Sequence, residues 1–186
     1  MRFNDHSKLE GQHALLSASK YHWIRYDDEK FDRTYRTALA ASRGTQLHEL
    51  AAQLIRLKVK LGRSRTTLNM YVNDAIGYRL TPEVILFYSY NAFGTADAVG
   101  FKNNKLRIHD LKTGESKTSM DQLMIYSAFF CLEYEFDPRQ IEIELRIYQH
   151  DDFEVLIPDP DFIFELMQKI KFYDNRIDAL RLEVES

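Results

Sequence analysis

The chain has 186 residues, 25 Lys and Arg against 28 Asp and Glu, and a formal net charge of −3, which argues mildly against a nucleic-acid partner. At 45% hydrophobic and 13% aromatic it can bury the core of one domain, expected to span 1–186. No apolar run is long enough for a membrane span, Met1–Glu10 is too polar for a signal peptide, and one cysteine argues for a reducing compartment, the cytoplasm.

In chain order, Ser17 or Ser19 is placed to cap a short helix containing Trp23. Apolar spacing predicts a long helix from about Ser42 to Leu61 and another from Thr66, a candidate cap, to Tyr78. Pro82 opens an extended run, Val84–Tyr90. Strands follow over Phe93–Phe101 and about Leu106–Lys112, joined by the polar turn Lys102-Asn103-Asn104-Lys105, a hairpin composition. A helix is predicted over Ser119–Glu135 and is broken by Asp137-Pro138. Ile141, Ile143, Leu145 and Ile147 alternate with Glu142, Glu144 and Arg146, as in a half-buried strand. A last strand, Phe153–Ile157, precedes a C-terminal helix that runs through about Leu182. The expected class is α/β (α+β), a mixed sheet flanked by helices in the order α-β-β-β-α-β, with a helical N-terminal addition.

The hairpin carries the chemistry. Strict alternation puts Asp97 on a face with Phe93, Thr95, Val99 and Phe101, and puts Gly94, Ala96, Ala98 and Gly100 on the other, as though an element packs close there. A carboxylate alone among bulky apolar residues is costly, and a metal ion or a basic partner removes that cost. Asp110 and Lys112 project together from the next strand. Phosphodiester hydrolysis needs a hard cation held by oxygen ligands. Asp97 and Asp110 supply carboxylates, and the Leu111 carbonyl lies between Asp110 and Lys112. Lys112 could orient or deprotonate the attacking water, or stabilise charge developing on the phosphate. On residue types alone, an Asp-x-Lys pair is equally the pattern of a solvated surface ion pair.

Gly94-x-x-Asp97 followed by Asp110-x-Lys112-Thr113-Gly114 resembles the PD-(D/E)XK nuclease superfamily, and most of all its RecB-like branch, which includes lambda-exonuclease-type phage enzymes. Arg43–Ala51, RGTQLHELA, is similar to that branch's G-x-x-x-H helix. Asp121–Phe129, DQLMIYSAF, is similar to its Q-x-x-x-Y motif. Leu16–Trp23, LSASKYHW, resembles its S-x-S start. The resemblance covers Ser17 to about Ile157 and looks most like short stand-alone phage or prophage enzymes. It implies a restriction-endonuclease-like core and a Mg2+- or Mn2+-dependent deoxyribonuclease, an exonuclease processing DNA ends in recombination or repair. It also implies that His48 joins Asp97, Asp110 and the Leu111 carbonyl as a metal ligand, and that Gln122 and Tyr126 lie beside DNA. A single-strand annealing protein is the partner expected of such an enzyme, in the host cytoplasm if phage-encoded. Ala96 stands where the superfamily has proline. The four cysteines that hold an iron–sulfur cluster in several relatives are missing, since Cys131 is the one cysteine, and its apolar neighbours suit a buried thiol.

Read without the resemblance, His48 fits a half-buried core histidine, and Gln122 and Tyr126 fit an ordinary pair on one helix face. Arg56, Lys58, Lys60, Arg63 and Arg65 form a basic stretch without an acid. Arg63 and Arg65 are candidates for DNA backbone contacts, although such a run also suits a solvated helix end. Lys102, Lys105, Arg107 and Lys117 add basic groups around the hairpin. No residue fixes the oligomeric state. The reading from another class is a non-catalytic module that binds nucleic acid or a partner on a nuclease fold.

Overall fold

The structure, a computed structural model, describes residues 5, 7–9, 11, 14–116 and 118–185. The chain forms two compact units, Met1–Thr45 and Gln46–Ser186.

In the first unit, a 3-10 segment, Ala18–Arg25, precedes the start of α1 (Asp28–Leu57). Ser17 occupies the position before the 3-10 segment, but its hydroxyl pairs with that of Ser19 at 2.7 Å and caps no helix amide. Helix α1 begins well before Ser42. The Asp27 carboxylate accepts from the Lys30 amide at 2.8 Å, and Asp28 and Glu29 sit in the first turn, where the helix dipole favours them. Its first turns bury no side chain fully, so capping and propensity hold them without the apolar periodicity that marks a packed helix.

In the second unit, α1 stops at Leu57 and not at Leu61. Lys58 takes a left-handed φ of 55°, and Val59 N–H bonds the Leu54 carbonyl at 2.9 Å, a Schellman ending. Helix α2 (Thr67–Tyr78) follows. Thr66 makes no side-chain cap. The exposed Thr67 amide is met instead by the Asp151 carboxylate at 2.9 Å, from a turn 84 residues away.

Strands β1 (Thr81–Ser89), β2 (Ala92–Lys102) and β3 (Lys105–Leu111) form an antiparallel meander. Pro82 lies inside β1, which is tolerated because β1 is an edge strand. Helix α3 (Asp121–Glu133) crosses over to β4 (Glu142–Gln149), which pairs parallel with β3. Antiparallel β5 (Asp152–Leu156) closes the order β1-β2-β3-β4-β5, and α4 (Pro160–Glu185) ends the chain. The protein is thus a mixed α/β fold on a five-stranded mixed sheet. Among the described residues, no helix is long and apolar enough to cross a membrane.

Helices α3 and α4 cover one sheet face with Leu86, Ala96, Val99, Leu106, Ile108 and the isoleucines of β4. Ala51 and Ile55 of α1 and Tyr71, Val72 and Ala75 of α2 cover the other, with Ala98, Leu111 and Tyr148. Ala96 and Val99 therefore share one core, while Ala98 belongs to the other. The strict alternation expected of β2 breaks once, at Asp97, opposite Glu83, whose φ is 52°. Phe93, Thr95 and Phe101 are exposed, so Asp97 does not sit on a buried aromatic face. The two strand glycines serve opposite faces. A Cβ on Gly94 would meet the Tyr126 ring at 2.9 Å, and one on Gly100 would meet the end of Leu80 at 2.6 Å.

Strand β4 is not half-solvated. Its polar face is covered by α2, and Glu144 is buried among Lys105 at 2.9 Å, Arg146 at 3.0 Å and Arg107 at 3.3 Å. Burial pushes the Glu144 carboxyl up, but these cations outweigh it and hold the group below its usual range. Lys105 and Arg107 are thereby half-buried and engaged by Glu144, and do not form a free basic fringe to the hairpin. Lys117 lies outside the described residues.

Candidate active site

The β2–β3 ladder runs from Lys102↔Lys105 to Ala98↔His109 and stops there. Asp97 and Asp110 are the next residues on either side, so both carboxylates stand where the strands part. Beyond that point β3 stays paired with β4, since the Lys112 amide bonds the Tyr148 carbonyl at 2.9 Å. Strand geometry then turns the amide and carbonyl of Leu111 to the opposite edge, towards β2. The Leu111 N–H donates to Asp97 Oδ2 at 2.9 Å.

His48, from α1, places Nδ1 at 3.2 Å from the same Asp97 oxygen. That hydrogen bond, aided by the charges of Asp97 and Asp110, raises the imidazole above its usual pKa, although burial and Lys112 oppose it. His48 thus donates its Nδ1 proton to Asp97. Asp110 is buried, and its pKa is pushed up to about 6, first by burial and then by the charge of Asp97, against the pull of Lys112 and His48. Lys112 Nζ lies 3.0 Å from Asp110 Oδ2, a charge contact whose angles are not those of a hydrogen bond. That oxygen is left buried with no hydrogen-bond partner among the described residues.

Lys112 Nζ also donates to Gln122 Oε1 at 2.9 Å. Gln122 Nε2 donates to the Tyr126 hydroxyl at 3.0 Å, which donates to the Thr95 carbonyl at 2.7 Å. Because the tyrosine proton is committed to a carbonyl, its oxygen must accept, and this fixes which way the Gln122 amide points. The four-residue spacing of Gln122 and Tyr126 on α3 thus forms a strut from β2 to Lys112. The Tyr126 ring is buried against Gly94, so its hydroxyl meets the site and its ring face is not free to stack on a base.

Two neighbours were not singled out from the sequence. The Thr95 carbonyl anchors the strut, and a backbone acceptor has no residue signature. Tyr71 is buried, and its pKa is raised well above 10 by burial and then by the charges of Asp97 and Asp110. Its place in the apolar repeat of α2 marks it only as core. Glu83 is engaged by Arg56 and does not join the carboxylates. Arg63 and Arg65 are exposed on the α1–α2 connection, which Asn73 and Asn69 pin to α2 through Leu61 and Gly62. They touch none of the site residues among the described residues. Cys131 is a buried free thiol, pushed up to about 12 by burial.

Among the described residues, no three His, Cys, Asp or Glu side chains converge as a ready metal cage. The donor set nevertheless suits a hard or borderline cation, with two carboxylates, an imidazole and the Leu111 carbonyl. The Asp110 oxygen, in charge contact with Lys112 but without a hydrogen bond among the described residues, and the raised Asp110 pKa are what a metal cation would relieve. No family model, curated protein or solved structure matches the chain.

Proposed function

We propose that the protein is a metal-dependent deoxyribonuclease built on a restriction-endonuclease-like core, acting on DNA ends as an exonuclease. The observation that carries this reading is the meeting of Asp97, Asp110, Lys112 and His48 at the point where β2 and β3 separate. Asp97, Asp110, His48 and the Leu111 carbonyl would hold Mg2+ or Mn2+, which when bound supplies charge to polarise the phosphate and lower the pKa of water. Lys112 directs Nζ at the position between Asp110 and Gln122, where it orients the attacking water or stabilises charge on the phosphate. Gln122 and Tyr126 hold that Nζ in place. His48 fixes the orientation of Asp97. Asp97→Ala and Lys112→Ala proteins test the assignment on linear duplex DNA in Mg2+. Each should lose at least a hundredfold in rate, and a variant that cut as fast as wild type would sink it.

One observation favours a second reading. His48 bonds Asp97 and Lys112 contacts Asp110, so the polar groups pair with one another without a ready metal cage among the described residues. A non-catalytic module that binds nucleic acid or a partner would need no more. DNA binding unchanged by EDTA, with no cleavage in Mg2+ or Mn2+, would select it.

A further inference from the structure

We propose that the N-terminal unit carries a second site, a non-catalytic groove for single-stranded nucleic acid. The groove lies between the Ala18–Arg25 segment and the first turns of α1 and encloses about 620 Å³, within the range of small-molecule sites. Trp23, Tyr26 and Phe31 supply its rings, Lys20, Lys30 and Arg33 supply its charge, and no acidic side chain lines it among the described residues.

The described acids of this segment lie outside the lining. Asp27 accepts from the Lys30 amide, Asp28 and Glu29 sit in the first turn of α1, and Asp32 pairs with Arg36 at 3.9 Å, while Glu29 and Asp32 line a neighbouring hollow that also borders Arg33. The groove thus keeps three cations beside three rings, although the whole chain is acidic. The rings are not a sealed core, because each of the three is only half-buried, and no apolar side chain described in residues 5–45 is fully buried. Two of them are held in place. The Trp23 indole N–H donates to the Ser17 carbonyl at 3.1 Å, beside the Ser17–Ser19 hydroxyl pair, and Lys30 Nζ lies 4.4 Å over the Tyr26 ring. The Ser17 backbone carbonyl thus orients the tryptophan.

Rings that stack on bases, interleaved with cations that meet phosphates, are the chemistry of single-strand binding. A duplex hides its base faces, and a groove of this volume takes one or two unstacked nucleotides. The choice of nucleic acid as ligand rests on the nuclease reading, but binding in the groove requires no catalysis.

Trp23 is the one tryptophan of the chain, so its fluorescence reports on this groove. The full chain carrying Asp110→Asn is titrated in EDTA with a 12-nucleotide oligothymidylate. The strand should quench Trp23, while a blunt duplex of the same length and inorganic phosphate should not. Combining Lys20→Ala, Lys30→Ala and Arg33→Ala, all exposed, should lower the slope of log affinity against log salt by about 2, with the far-ultraviolet dichroism unchanged. Trp23→Ala, followed by anisotropy of a labelled strand, should weaken binding roughly tenfold. Lys171→Ala, which alters an exposed cation of α4 outside the groove lining, should leave binding alone. Binding without quenching, or with the salt slope unmoved by the triple variant, overturns the proposal, as does equal quenching by duplex or by phosphate. Failure here with cleavage intact in the unsubstituted chain refutes the groove alone. Quenching and binding without any cleavage would leave the groove standing and refute the nuclease.

Discussion

Replacing Asp110 by Asn should make the metal-free protein more stable at neutral pH. Asp110 is buried near a second carboxylate, and its pKa is pushed up from 3.8 to about 6. A carboxyl held at about 6 costs the folded state about 3 kcal/mol once ionised. Because folding raises this pKa, the contribution is fully favourable below pH 3.8 and is lost as pH rises through about 6. Asn keeps the shape and carries no charge, and Lys112 retains its bond to Gln122. At pH 7.5 in EDTA the variant should gain about 2–3 kcal/mol, or roughly 5–10 °C in thermal midpoint. The gap should close near pH 4. Added Mg2+ or Mn2+ should raise the wild-type midpoint and leave that of Asp110→Asn unmoved. Denaturant or thermal unfolding across pH 4–8 measures all three effects. A variant no more stable than wild type at pH 7.5, or one whose advantage persists at pH 4, would refute the account of Asp110 as a strained anion awaiting a cation.

His48 should titrate above 6.5 by NMR, should fall back towards that value in Asp97→Asn, and should drop when Mn2+ or Mg2+ is added. Its contribution to stability, present below pH 6.5, should fade as pH rises through the raised folded value. His109 has the opposite sign. Buried and neutral, with its pKa lowered to about 3 by burial and then by Arg146, it should cost stability as pH falls from 6.5 towards 3, and His109→Leu should flatten that acid limb. Gly94→Ala should destabilise the protein by about 1–3 kcal/mol, because its Cβ would lie 2.9 Å from the Tyr126 ring, and should also slow cleavage by displacing the strut to Lys112. Tyr126→Phe keeps the ring and should cost about 1 kcal/mol in unfolding, with a fall in kcat at nearly constant KM.

Much of this site could be read from residue types. The hairpin turn at Asn103-Asn104, the projection of Asp110 with Lys112 and the shared helix face of Gln122 and Tyr126 all follow from period and turn chemistry, and each is found. What was hidden depends on residues distant in the chain. The break of alternation at Asp97 belongs to the gap in the β1–β2 ladder opposite Glu83 and to the two cores that claim Ala96 and Ala98. The polar side of β4 looks solvated until Lys105 and Arg107 are seen to meet Glu144 beneath α2. Thr66 has the right type for a cap, but Asp151 takes the role from a turn far along the chain. The early start of α1 at Asp28 was missed because an exposed helix carries no apolar period, and its signal lay in Asp27 and the acids after it.

The most direct test of the nuclease reading compares linear with covalently closed circular duplex DNA. Each is incubated with wild type or Lys112→Ala in Mg2+, Mn2+ or EDTA. Loss of the linear substrate alone is expected, abolished by EDTA and by the substitution. Nicking of the circle would keep the site but contradict the preference for ends. Intact DNA in every lane, or cleavage that Lys112→Ala leaves unchanged, would contradict the central claim.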